Sequence, residues 1–108
     1  MNQADFERRA AEILDTLFEQ IEDQLGDWLD VEMNGGILQI ELPDGGAYVI
    51  NRHAPNREIW VSSPKSGAWH FAAGDDNSWR STRGAEELTA LLADELAAAS
   101  GRAVQLEL

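Results

Sequence analysis

The first quarter of the chain repeats apolar residues with the spacing of an amphipathic helix. They recur at three- and four-residue steps between residues 3 and 26, which places them on one helix face. Asn2, with Asp5 three residues later, is a candidate N-terminal cap, and Gly26 is a candidate stop. We therefore predict a helix over residues 3–26. Its buried face consists of Phe6, Ala10, Ile13, Leu14, Leu17, Ile21 and Leu25.

The middle of the chain changes to the two-residue alternation that is typical of β-strands. The predicted strands occupy roughly residues 28–33, 37–42, 47–52, 57–63, 68–72 and 78–82. The segments between them have turn-forming sequences: 34-NGG-36, 43-PDGG-46, 55-PN-56, 64-PKSG-67 and 74-GDDN-77. Because short strands joined by tight turns pair with their neighbours in sequence, we predict an antiparallel sheet.

A second helical pattern follows the strands. Residues 85–100 have helical spacing, Glu86 and Glu87 fall in the predicted first turn, and Gly101 is the expected stop. The apolar face of this helix consists of Leu88, Leu91, Leu92, Leu96 and Ala99. The tail 103-AVQLEL-108 alternates apolar and polar residues, and we expect it to pack across an open edge of the core.

The order of elements, one helix, a run of strands and a second helix, predicts the α+β class in a single domain over residues 1–108. Two helices on one face of a single sheet leave the other face in solvent, and the strand patterns agree. Ile59 and Val61 are expected to face the core, whereas Trp60 faces outward. The predicted outer face collects Gln39, Glu41, Asn51, Glu58, Trp60, Ser62 and His70.

An outward tryptophan among polar residues needs a reason. Tryptophan is enriched at the energetic centres of protein interfaces, so Trp60 is a candidate interface anchor. The alternative is partial cover of the indole by a neighbouring side chain.

The amino-acid composition limits the classes of protein to which this chain can belong. The 108 residues are 44% hydrophobic and 26% charged, as in an ordinary globular domain, and none is cysteine. No apolar run approaches the ~18 residues of a membrane span. The first ten residues lack an apolar stretch and carry acids early, so we expect no signal or transit peptide. A cytoplasmic protein or a processed organellar protein fits these features.

The charge balance narrows the choice of partners. The net charge is −12, from 20 acidic and 8 basic residues. This argues against direct binding of nucleic acid, which requires Lys and Arg to neutralise phosphates. A cation or a basic protein surface suits the charge, and simple solubility is the alternative.

The acids concentrate on one side of the first predicted helix and in the segment after it. Asp15, Glu19, Asp23 and Asp27 lie four residues apart, an arrangement that costs stability through repulsion. Carboxylates without Cys or His nearby suit hard cations such as iron, manganese, calcium and magnesium. A solubilising face is the alternative. We call this surface the acidic ridge; it consists of Glu12, Asp15, Glu19, Glu22, Asp23, Asp27, Asp30 and Glu32.

Catalytic motifs are scarce. His53 and His70 are the only histidines, and the glycine pairs lie in predicted hairpin turns and not in phosphate-binding loops. The paired carboxylates lie on a convex helix face, not in an apolar pocket that would separate their pKa values. We therefore expect no enzymatic activity of the usual kind.

The segment 51-NRHAPNREIWVSSPKSGAWHF-71 resembles the signature region of frataxins. The preceding 34-NGGILQIELPDGGAYVI-50, the later Trp79 and the two helices resemble that family as well, in its bacterial, CyaY-type branch. The resemblance implies an α-β sandwich with two helices against an antiparallel sheet of about six strands. It also implies weak binding of ferrous or ferric iron, other divalent cations being possible as well. It further implies docking on a cysteine desulfurase and an iron–sulfur scaffold protein, where the family regulates cluster assembly or supplies iron to it.

The resemblance also assigns roles to residues. The acidic ridge would hold the metal, and the sheet would bind the partner through Asn51, Arg52, His53, Glu58, Trp60 and His70. Three of these depart from the family: many frataxins have Gln in place of His53 and of Glu58, and eukaryotic members have Arg near His70. These departures leave open whether the protein activates or inhibits cluster assembly.

Two other functions fit the same residues. One is a metal-independent acidic interaction module or chaperone, whose ridge docks a basic partner. The other is a ferroxidase that stores iron in oligomers. We expect a monomer, with metal-induced oligomers as the alternative.

Overall fold

The computed structural model describes residues 1–74, 76 and 78–108. In the predicted turn at residues 74–77, Asp75 and Asn77 lie outside the described residues. In chain order the elements are α1 (Gln3–Leu25), β1 (Asp30–Asn34), β2 (Ile37–Glu41), β3 (Ala47–His53), β4 (Glu58–Ser63), β5 (Gly67–Ala73), β6 (Trp79–Ser81) and α2 (Leu88–Ser100).

The strands form one sheet in the order of the chain. Each strand pairs antiparallel with the next, from β1 at one edge to β6 at the other. The predicted β1–β2 turn has Gly35 and Gly36 at φ 59° and 80°, a left-handed backbone that favours glycine. Both helices pack against the sheet, which confirms the predicted α+β sandwich.

Helix α1 begins as predicted and ends slightly earlier. The Asn2 side chain accepts a hydrogen bond from the Asp5 amide at 2.8 Å, which confirms the cap. The amides of Trp28 and Leu29 both donate to the Leu25 carbonyl, so the chain keeps turning after the helix. Strand β1 therefore begins at Asp30 and not at residue 28.

Helix α2 begins at Leu88, so the prediction of helix from residue 85 was wrong. The Ser81 amide donates to the Glu86 carbonyl at 2.8 Å, and Glu87 forms an isolated antiparallel bridge with Arg80. These contacts hold the backbone extended beside β6. Glu86 and Glu87 consequently precede the first helical turn. The helix ends as predicted at Gly101, whose φ of 69° is left-handed.

The core lies between the helices and the inner face of the sheet. All seven residues of the predicted α1 stripe are buried. Trp79 and Tyr48 are the largest fully buried side chains. Trp69 is half-buried at the margin of this core. Among the described residues, no helix is long and apolar enough to cross a membrane.

The C-terminal tail lies along α1. Gln24 donates to the Gln105 carbonyl and accepts from its amide, at 2.7 and 2.9 Å. Gln20 makes the same pair of bonds with the backbone of Glu107, at 2.8 and 2.9 Å. Leu106 between them is buried in the core, as a packed tail requires.

Candidate functional site

All eight carboxylates of the acidic ridge are exposed. The helical part ends at Asp23, because α1 stops at Leu25 and Asp27 lies in the following turn. The predicted i,i+4 ladder therefore has three helical members and not four. The ion pairs that the described residues form involve none of the eight ridge carboxylates.

The ridge is a row of ligands and not a cage. Within the described part of the chain, no three His, Asp or Glu side chains converge on a point that could hold a metal ion. Carboxylate oxygens suit hard cations, but separate exposed ligands leave most of the ion's coordination to water. This geometry favours weak binding with rapid exchange.

Strand β1 carries the acids around to the outer face of the sheet. Asp30 lies directly opposite Glu41 on β2, an unfavourable pairing of like charges. The predicted ridge does not include Glu41. The register of the β1–β2 hairpin, which turns at 34-NGG-36, nevertheless places Glu41 beside the ridge residue Asp30. The exposed Trp28 lines the same groove as Asp27, Asp30 and Glu41. Arg102 covers its ring, with Cζ 3.3 Å from the centroid.

The partner residues predicted on the outer face centre on Trp60. Its neighbours across β3 and β5 are Asn51 and His70. Ile59 and Val61 are buried, so the strand alternation directs Trp60 outward as predicted. The side chain is only half-buried, because one surface of the sheet carries no helix.

Two histidines cover both faces of the Trp60 indole. The His53 ring stacks on one face with 3.8 Å between ring centroids and 9° between ring planes. The His70 ring stacks on the other at 4.3 Å and 6°. The structure therefore has the alternative stated above, in which neighbouring side chains partly cover the Trp60 indole.

Glu58 fixes the edge of this stack. Its Oε1 accepts a hydrogen bond from Trp60 Nε1 at 2.9 Å and lies 3.7 Å from His70 Nδ1. The Nδ1 atom of His53 is buried, and no described group bonds to it. Four of the six predicted partner residues thus form one cluster, which we call the Trp60 stack: His53, Glu58, Trp60 and His70.

Arg52 does not share this face. It lies opposite Ile59, whose side chain is in the core, so alternation sends Arg52 to the helix side of the sheet. There its exposed guanidinium reaches Gly36 in the β1–β2 turn. Arg52 therefore lies on the side of the sheet opposite Trp60, and its role in partner binding stays a prediction.

Comparison with known proteins agrees with these features. Residues 1–102 match the family model described as a frataxin-like domain. The iron-sulfur cluster assembly protein CyaY of Neisseria meningitidis is 42% identical over 96 residues, covering 86% of this chain and 88% of that protein. Its namesake from Ralstonia pickettii is 36% identical over 75 residues, covering 69% of this chain and 65% of that protein.

Solved structures agree as well. Frataxin from Psychromonas ingrahamii superposes with a TM-score of 0.88 at 23% identity, covering both chains fully. Trimeric frataxin from Saccharomyces cerevisiae, complexed with ferrous iron, gives 0.79 at 35% identity over 87% of each chain. The chain belongs to the frataxin family.

Proposed function

We propose that this chain binds ferrous iron weakly on the acidic ridge and serves iron–sulfur cluster assembly. The observation that carries the proposal is the row of eight exposed carboxylates outside the ion pairs of the described residues. The names of the Neisseria and Ralstonia relatives and the ferrous complex of yeast frataxin support it.

The proposed docking surface is the outer face of the sheet around the Trp60 stack, and the proposed partner is the complex of a cysteine desulfurase with its scaffold protein. A half-exposed tryptophan at the centre of a polar face has the character of an interface anchor. The ridge and the stack are then separate surfaces. Iron is cargo that the ridge collects, while the sheet holds the partner.

The proposed binding of iron on the acidic ridge is tested by adding ferrous iron in the absence of oxygen and following amide NMR signals. We expect selective changes along residues 12–32, reduced by the D15N/E19Q/D23N variant. The control E86Q/D94N removes two exposed carboxylates away from the ridge and should leave the changes intact. Uniform changes along the chain, or equal losses in both variants, would contradict a ridge site.

The docking half is tested with Trp60→Arg. We expect binding to the desulfurase–scaffold complex to weaken at least about tenfold, because a central anchor is replaced by a charge. Thermal stability should change little, since the indole lies outside the core. Trp28→Arg, at an exposed tryptophan outside the Trp60 stack, is the control. A large loss of stability in Trp60→Arg would instead mark Trp60 as a core residue.

A second candidate is a metal-independent interaction module, which the net charge of −12 favours. In that case the partner affinity falls steeply with salt even when a chelator removes all metal. Iron-dependent binding to the partner at constant ionic strength would argue for the first proposal.

A further inference from the structure

The Trp60 stack leaves the partner only the edge of the indole. Imidazole rings occupy both π faces, with ring centroids at 3.8 and 4.3 Å and planes within 9° of parallel. The three rings come from β3, β4 and β5, three consecutive strands, so the backbone hydrogen bonds of the sheet set their spacing. The positions of the three stacked rings are therefore set by the sheet itself.

Glu58 determines which edge is presented. The Trp60 Nε1 hydrogen bond to Glu58 Oε1 fixes the rotation of the indole about its side-chain bonds. The same oxygen lies 3.7 Å from His70 Nδ1, too far for a hydrogen bond, so Glu58 only borders the second ring. The hydrogen bond to Glu58 therefore holds the indole within its own plane, and the stacked imidazoles hold it on either side.

An edge and a face are different binding surfaces. The π face of an aromatic ring carries negative potential and attracts cations, whereas the ring edge carries positive potential. A guanidinium or another aromatic ring could reach the Trp60 face only by displacing an imidazole. A partner that meets the undisturbed stack must offer apolar surface or hydrogen-bond acceptors to the ring edges.

We propose that His53 and His70 are positioning residues for docking, which clamp the Trp60 indole so that it meets the partner edge-on. The proposal rests on the proposed docking function of the outer sheet face. The clamp fixes the indole before binding, so no rotamer freedom of this large side chain is lost in the complex. The partner surface opposite the stack is apolar or rich in carbonyl and carboxylate oxygens.

The affinity test compares two double variants on the purified desulfurase–scaffold complex. We expect H53A/H70A to bind about tenfold more weakly than the wild type, because the indole is no longer held. H53F/H70F restores a flat ring on each side and should bind within about twofold of the wild type. The control Q3A/E7A removes two exposed side chains from α1, outside the proposed docking surface, and should leave binding unchanged.

A spectroscopic test addresses the clamp in the free protein. Ring currents of the indole should shift the imidazole carbon-bound protons of His53 and His70 upfield, and Trp60→Leu should abolish the shift. The shift should persist in the complex if the partner meets the edge. Loss of the shift on binding, or its absence from the free protein, overturns the clamp.

The two proposals fail in different ways. A wild-type protein that does not bind the complex overturns the docking function itself. Wild-type binding with an unchanged affinity of H53A/H70A overturns the positioning role alone. Thermal melting of each variant identifies any that fail to fold. If H53A/H70A fails to fold, H53F/H70F decides the question: binding near wild-type affinity supports the positioning role, and weak binding by the folded variant overturns it.

Discussion

At the scale of single residues, Glu95 on α2 fastens the helix to the sheet. Its Oε1 accepts hydrogen bonds from the Tyr48 and Ser63 hydroxyls at 2.9 and 2.6 Å, and its Oε2 accepts one from Ser66. Ser63 Oγ in turn accepts from the amides of Lys65 and Ser66, both at 3.0 Å. Burial and the Glu95 carboxylate raise the pKa of Tyr48 to about 12.

This pKa predicts the behaviour at high pH. The fold favours the protonated phenol, so its contribution to stability is complete below the ordinary value of 10.0 and is lost as the pH rises through about 12. Tyr48 is the only tyrosine, so tyrosinate absorbance reports its ionisation directly. Tyr48→Phe should be less stable at neutral pH, by about 1 kcal/mol, but should lose less stability than the wild type above pH 10. Identical alkaline profiles of the two proteins would refute this account.

At the scale of elements, repulsion between the exposed acidic side chains of α1 lowers the stability of that helix. Glu19 has acidic neighbours at Asp15, Glu22 and Asp23, on the turns before and after it. Apolar burial along the opposite stripe offsets this repulsion, and the tail bonds to Gln20 and Gln24 add a second attachment.

Relief of this repulsion is measurable. Glu19→Gln should raise the free energy of unfolding by about 0.5 kcal/mol at low salt, because it removes like-charge pairs on adjacent turns. The gain should shrink as salt screens the charges. Asp94→Asn on α2 is the matched control, since residues 90, 91, 97 and 98 are uncharged. An equal gain in the control would show a general effect of net charge.

The tail attachment gives another prediction. Gln20→Ala combined with Gln24→Ala removes four hydrogen bonds to the tail and should cost about 2 kcal/mol of unfolding free energy. Hydrogen exchange at the Gln105 and Glu107 amides should accelerate. Gln39→Ala, at an exposed strand glutamine, is the control. Unchanged exchange at residues 105 and 107 would mean that Leu106 alone holds the tail.

At the scale of the whole molecule, the two candidate surfaces are separated by the sheet. The helical part of the ridge lies on the side of α1, while the Trp60 stack lies on the face without helices. Acids at Asp30 and Glu32 on β1 join the two regions at the sheet edge. A partner bound at the stack therefore leaves most ridge carboxylates open to solvent.

The net charge of −12 has a consequence for the entire fold. Self-repulsion among 20 acidic residues destabilises the compact state, so the Tm of the free protein should rise as salt increases from roughly 0.01 to 1 M. Differential scanning calorimetry in sodium and potassium chloride measures it, and the two salts should act alike. A Tm that falls over this range would show that attractive pairs dominate.

Local pattern was sufficient to predict much of this fold. The α1 stripe, the Asn2 cap, the Gly101 stop and the inward positions of Ile59 and Val61 depend on residues a few positions apart. The start of α2 was not predictable in this way, because a bond between Ser81 and Glu86 competes with the helix there. Strand parity also places Arg52 on the side of the sheet opposite Trp60.

The sequence by itself determined the class of fold, the row of acids and the outward direction of Trp60. Each follows from periodicity, which fixes the face a side chain occupies within its own element. Only the tertiary structure decided that His53 and His70 cover the indole, that Glu58 anchors it and that the tail lies along α1. Those contacts join residues from different elements, and their distances depend on strand register and packing, which no single segment contains.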